Sequence, residues 1–231
     1  MPEPTRRLRE PPLDFPDYRS TALRHPRQPL VYLPEQVTEM AGPQLGHLRP
    51  GAIENDLTRQ HDGDPVGERI TVSGRLLDTG GRPIRDSLIE IWQANAAGRY
   101  RHRWDNWPAP VDPNFSGGGR TVTDGEGRYE FVTIKPGPYP WGNHHNAWRP
   151  AHIHFSLLGR SFEQRLVTQM YFPGDPLFPH DPIFNSVRDR QARERMISRF
   201  SIDSSQDNWA LAYEFDIVLG GRFATPIEES H

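Results

Sequence analysis

The sequence predicts an antiparallel β-sandwich preceded by a long irregular arm. Three observations carry this reading. Short runs in which apolar and polar residues alternate recur from Gly67 onward, the period of a half-buried strand. The 231 residues include 24 prolines and 20 glycines, which interrupt the chain too often for long helices. One segment alone, near the C-terminus, has convincing helical periodicity.

Residues 1–66 show no clean period. Pro-rich stretches there alternate with short helix-like pieces, EQVTEMAG (35–42) and AIENDLTR (52–59). Such a segment cannot build a core by itself, so it reads as an arm that packs on a partner chain. Residues 67–231 read as the sandwich domain. ERITVSGRLLD (68–78) alternates Ile70 and Val72 with polar neighbours and meets the turn DTGGRP (78–83). SLIEIWQA (87–94) is the next strand, and GRTVTDGEGRYEFVTI (119–134) reads as strand, Asp-Gly turn, strand, with Tyr129 and Phe131 on one face. AHIHFSLLG (151–159), QRLVTQMYF (164–172) and LAYEFDIVL (211–219) complete the strand set. SVRDRQARERMISRF (186–200) is the predicted helix, with Val187, Met196, Ile197 and Phe200 as its apolar positions.

Composition narrows the function. A net charge of −3 gives no basic stripe, so nucleic acid and anionic membranes are poor partners. No apolar run approaches the roughly 20 residues of a membrane span, and MPEPTRRLREPPLDF has no hydrophobic signal core. A cytoplasmic protein is expected. The chain has no cysteine, which removes disulfides, thiolate ligands and a Cys nucleophile. Any metal must be held by imidazole, carboxylate or phenolate.

KPGPYPWGNHHNAWRPAHIHF (135–155) carries four histidines. His152 and His154 stand two apart in an extended segment, so both imidazoles face the same way and can reach one point. Alone, the pair is a weak signal, and a half-buried polar strand face is the commoner reading. His144 and His145 sit in a Pro/Gly/Asn loop and read as solvent-exposed. Glu163 and Asp175 are the acidic residues in reach, without a distinctive spacing. Tyr139 is pinned between prolines, and Tyr100 follows a strand end. A buried tyrosine is ordinarily core, yet two phenolates with two imidazoles suit Fe(III) better than Zn(II) or Fe(II).

GRYRH (98–102), DPNFSGGGR (112–120), TIKPGPYPW (133–141), WRPAHIHF (148–155) and TQMYFPGDP (168–176), with HPRQPLVYLPE (25–35) and YEFDIVL (213–219), resemble the intradiol ring-cleavage dioxygenases. Within that family the likeness is to the β subunits that act on protocatechuate, and it spans most of the chain. The resemblance implies one non-heme Fe(III) per chain, with Tyr100 and His152 as equatorial ligands, Tyr139 and His154 as axial ligands, and a hydroxide completing the set. It implies Tyr139 as the ligand that leaves, Arg149 as a pocket cation stabilising charge on the substrate ring, and Gln169 behind it. Trp141 and Ile183 would wall the pocket. Ordinary packing accounts for Trp141 and Ile183 almost as well, and a solvent-facing loop charge is the commoner fate of an arginine.

The implied reaction inserts both atoms of O2 into a catechol and opens the ring to a cis,cis-muconate. The implied partner is a homologous α subunit of the same fold in an αβ hetero-oligomer. GNHH (142–145) and FPHDPIF (178–184) depart from the family pattern, and the first lies next to the open position, so another 4-substituted catechol stays in view. Two rivals remain: a non-catalytic sandwich module of transthyretin-like or carbohydrate-binding kind, and a homodimeric catechol or hydroxyquinol 1,2-dioxygenase. The four Tyr and His positions speak against the first, and the weakly helical arm speaks against the second.

Overall fold

Period-two alternation becomes two facing sheets. The structure, a computed structural model, describes residues 11–28, 50–51, 53–158 and 166–227. In chain order these hold β1 (Arg69–Leu77), β2 (Leu88–Gln93), β3 (Gly118–Val122), β4 (Arg128–Ile134), β5 (Tyr139–Pro140), β6 (Trp148–Arg149), β7 (His152–Leu158), β8 (Leu166–Tyr171), β9 (Arg199–Gln206), β10 (Ala210–Glu214) and β11 (Ile217–Val218). Three short α-helices accompany them, α1 (Thr21–Arg24), α2 (Pro182–Ser186) and α3 (Arg190–Glu194), with a 3-10 turn at Phe178–His180. Among the described residues no helix is long and apolar enough to cross a membrane.

One sheet runs β11-β1-β10-β9 with β4 also on β1, and the other runs β3-β2-β7-β8. The second is antiparallel throughout. The first is mixed, because β1 lies parallel to β10 and β11 and antiparallel to β4. Between the sheets Ile70, Val72, Phe131, Ile153 and Phe155 are all fully buried. Withdrawing a side chain of that size from water contributes about 1.5–3 kcal/mol. The Asp-Gly turn forms as expected, with Asp124 Oδ1 accepting from the Glu126 and Arg128 amides. It carries the chain from one sheet to the other, since β3 pairs β2 and β4 pairs β1. Gly74 is required by a close approach: a Cβ there would lie 1.9 Å from the Phe215 carbonyl oxygen, which also accepts from the Tyr129 hydroxyl.

Two sequence expectations are corrected. In place of one helix over 186–200, the chain leaves α2 at Ser186, forms only the five-residue α3 (Arg190–Glu194) and enters β9 at Arg199. Asp189 Oδ1 caps α3 by accepting from the Gln191 and Ala192 amides, but Phe200 pairs with Tyr213 across β9 and β10 and is 44% exposed. Val187 and Met196 are buried in a small cluster with Tyr171 and Phe184, so their spacing reflected burial without a continuous helix. Residues 52–59 form no helix within their described part. Turns there place Asp56 beside Val132 and bury Leu57 in the core. The segment 35–42 lies outside the described residues. Within the arm, Leu57 therefore packs on this chain's own sandwich, and the Leu57 amide donates to Val132 O at 2.9 Å.

Candidate metal centre

The histidines stand on the outer face of the β3-β2-β7-β8 sheet, opposite the core. The pleat of β7 sends Ile153 and Phe155 inward, which turns His152 and His154 outward together. Register then sets their neighbours. His154 lies opposite Trp92 on β2 and Gln169 on β8, and His152 lies opposite Tyr171. The Trp92 and His154 rings stack at 4.7 Å and 5°, fixing one imidazole plane. His152 Nδ1 is 2.7 Å from the Pro150 carbonyl oxygen. A carbonyl can only accept, so Nδ1 carries the proton and the lone pair is on Nε2, the nitrogen turned into the site.

The tyrosines arrive from two loops that glycine lets pack together. Asn95 Oδ1 accepts from the Ala97 and Arg99 amides, and Asp105 Oδ2 accepts from the Tyr100 amide at 2.8 Å, so the turn before Tyr100 is held at both ends. Gly98 has φ +75, and a Cβ on it would stand 2.2 Å from Pro138 O and 3.2 Å from the Tyr139 Cβ. Tyr139 is on β5, directly opposite Arg149 on β6. The Tyr100 and Tyr139 rings meet edge to face at 5.3 Å.

The four donor atoms converge. Tyr100 Oη lies 3.2 Å from His154 Nε2, and Tyr139 Oη lies 3.4 Å from His152 Nε2. The two imidazole centroids are 4.8 Å apart. Burial, then the Arg149 cation and then His154, hold the His152 imidazole well below the usual histidine range, so it is neutral and ligand-ready. Burial pushes the Tyr139 phenol up, with Arg149 pulling the other way. A phenolate at Tyr139 therefore needs a cation beside it. Two imidazole nitrogens and two phenol oxygens, that of Tyr139 ionising only against positive charge, fit a hard, highly charged ion. Among the described residues no group of three or more His, Cys, Asp or Glu could hold an ion, so a metal site here would have to draw on the phenol oxygens as well.

Arg149 is 3% exposed. Its Nη2 donates to Gln169 Oε1 (2.6 Å), Tyr171 Oη (3.0 Å) and Asp181 Oδ2 (3.1 Å), and Nη1 lies 3.4 Å from His152 Nε2. Burial disfavours the guanidinium charge, but Asp181 and the neighbouring phenols outweigh it and raise the Arg149 pKa well above its ordinary value. Its Cζ also lies 5.7 Å from the centre of the Trp141 ring. Ile183 is 9% exposed on α2.

The other expected positions fall outside this cluster. His144 and His145 are exposed, with His144 Nδ1 donating to His145 O. Asp175 holds a turn, accepting from the Ala151 and Leu177 amides. Glu163 lies outside the described residues. The loop after Trp141 anchors the arm, since Asn143 Oδ1 accepts from the Arg19 amide and its Nδ2 donates to Asp17 O. That tie brings the Tyr18 ring to 5.2 Å from Trp141. Sequence reasoning missed Trp92, Tyr171 and Asp181. Asp181 carried a signal, since Asp-Pro-Ile is a helix N-cap followed by proline at the first helical position.

Comparison with known proteins adds a separate line. The dioxygenase family profile matches residues 40–221, and a profile described as the protocatechuate 3,4-dioxygenase β subunit N-terminal region matches residues 7–36. The protocatechuate 3,4-dioxygenase β chain of Burkholderia cepacia is 58% identical over 215 residues, covering 92% of this chain and 91% of that one. The protocatechuate 3,4-dioxygenase α chain of Pseudomonas putida is 30% identical over 208 residues, covering 85% of this chain and 97% of that one. The crystal structure of 3-chlorocatechol 1,2-dioxygenase from Rhodococcus opacus aligns with a TM-score of 0.57 at 26% identity, over 74% of this chain and 66% of that chain.

Proposed function

The chain belongs to the intradiol ring-cleavage dioxygenase family, and on that footing we propose that it is a catalytic β chain cleaving protocatechuate with O2 to 3-carboxy-cis,cis-muconate. The observation that carries the proposal is the convergence of two phenol oxygens and two imidazole Nε2 atoms at 3.2 and 3.4 Å. The family uses non-heme Fe(III). Tyr100, Tyr139, His152 and His154 would hold one such ion. Bound there, it supplies Lewis acidity toward catechol oxygens and redox access to O2.

The protein's own groups then divide the work. Tyr139 Oη would take one catechol proton, because burial, the larger effect, outweighs the pull of the Arg149 cation and favours the neutral phenol. The Arg149 guanidinium stands beside the site and stabilises negative charge that develops on the ring. Gln169 holds Arg149 through the 2.6 Å bond to Nη2. Trp141 and Ile183 flank the ring and keep water from it. The 30% identity to an α chain supports a homologous α subunit as partner in an αβ assembly, with part of residues 1–66 laid against it.

A second reading concerns the substituent on the ring. Asn143 ties the arm over Trp141, and this is the loop that departs from the family pattern. A catechol with another group at C4 is the alternative substrate. One experiment addresses both. The chain, co-expressed with an α homologue and loaded with iron, is given 18O2 and a panel of 4-substituted catechols. Both labelled atoms should enter one ring-opened product, with protocatechuate giving the highest kcat/KM. A different best substrate selects the second reading, and no O2 uptake with any catechol refutes both.

A further inference from the structure

The pocket's cation and its apolar wall share one carboxylate. Arg149 sits on β6, a strand of two residues, and Ile183 sits on α2, a helix of five. Neither element is long enough to fix a side chain by its own hydrogen bonds. Asp181, fully buried at 0% exposure, reaches both. Its Oδ2 accepts from Arg149 Nε at 3.3 Å and Nη2 at 3.1 Å, and from the Tyr171 hydroxyl at 3.3 Å. Its Oδ1 accepts from the Ile183 amide at 3.0 Å and caps α2. The Asp181 backbone is anchored as well, its amide donating to Leu177 O and its carbonyl accepting from Asn185 Nδ2.

We propose that Asp181 is a positioning residue for the reaction. It fixes the Arg149 guanidinium along the Nε–Nη2 edge, so that Nη1 faces the donor cluster, and through the Ile183 amide it ties the start of α2 to that cation. The inference rests on the role given to Arg149 above. A guanidinium has five N–H donors and several ways to turn, and Gln169 and Tyr171 engage Nη2 alone. The carboxylate is the group that also holds Nε, so it decides the plane. Misplacing a charge-stabilising group by about 1 Å costs on the order of 10²-fold in rate.

Asp181→Asn separates the two roles. Asparagine keeps an oxygen for the Ile183 amide, but its NH2 cannot accept from Arg149. Four forms are compared with iron loaded and the α homologue present: wild type, Asp181→Asn, Arg149→Gln, and the double variant. Asp181→Asn should keep iron and substrate chelation, with KM within about threefold of wild type and kcat lower by about 10²-fold. The double variant should match Arg149→Gln within about threefold, because the lost contact acts through Arg149. In the metal-free protein, the Arg149 Nε–H resonance should exchange slowly with water in wild type and quickly in Asp181→Asn. If Asp181→Asn does not yield folded protein, the comparison of Arg149→Gln with the double variant decides. A double variant slower by another tenfold, or an Asp181→Asn enzyme at wild-type kcat, overturns the inference. Absence of ring cleavage in wild type would instead overturn the proposed function.

Discussion

Replacing Gly98 by alanine tests how the two tyrosines are brought together. The backbone there has φ +75, and an added Cβ would meet Pro138 O at 2.2 Å and the Tyr139 Cβ at 3.2 Å. An L-residue in the left-handed region costs about 1–2 kcal/mol, and forcing a methyl into a packed site costs about 1–3 kcal/mol more. The sum is about 2–5 kcal/mol. In a chain of this length each kcal/mol lowers Tm by about 2–4 °C, so a fall of roughly 5–15 °C is expected. A carbon–oxygen contact must relax outward by about 1 Å to reach its ordinary spacing, and the displacement falls on Pro138 and Tyr139. Thermal unfolding of the metal-free protein and iron titration followed in the visible are the assays. Gly125→Ala, where a Cβ meets nothing within 4 Å, is the control and should change neither. A Gly98→Ala protein with wild-type Tm and wild-type iron affinity would refute the reasoning.

Other perturbations follow from the same geometry. His152→Ala and His154→Ala should each abolish iron retention, while His144→Ala and His145→Ala, on exposed positions, should retain it in metal analysis. Arg149→Ser should lower stability as well as kcat, because it leaves buried Asp181 without its cation. Breaking such a pair costs about 3–5 kcal/mol, readable by denaturant unfolding. Because burial raises the Tyr139 phenol, iron uptake must displace its proton. Apparent affinity should therefore strengthen as pH rises and weaken as it falls, with proton release measurable in weakly buffered solution. A pH-independent affinity would contradict phenolate ligation.

The strands and the His152/His154 pair were legible because both depend on local alternation. β1, β2, β4, β7 and β8 lie where period-two patterning put them, and one pleat explains why His152 and His154 turn outward together. What depends on tertiary pairing was not legible. Arg199–Gln206 is Ser-rich and a weak helix former, yet nothing in it announces that β10 will pair with it. Residues 52–59 have helix-like spacing, but the bond from the Leu57 amide to Val132 O holds them against the sandwich. The parallel run of β1 beside β10 pairs Ile70 with Leu211, across more than half the chain. Asp181 is 32 residues from Arg149, and no local pattern links a helix cap to a cation on a distant two-residue strand.

The most direct measurement is iron stoichiometry together with the visible spectrum of the purified chain, compared with Tyr100→Phe and Tyr139→Phe. Phenolate ligation of Fe(III) should give close to one iron per chain and a broad visible charge-transfer band. Dithionite should bleach that band, and each tyrosine variant should weaken or shift it. A colourless protein carrying stoichiometric zinc, or a band unchanged in both variants, would contradict the account.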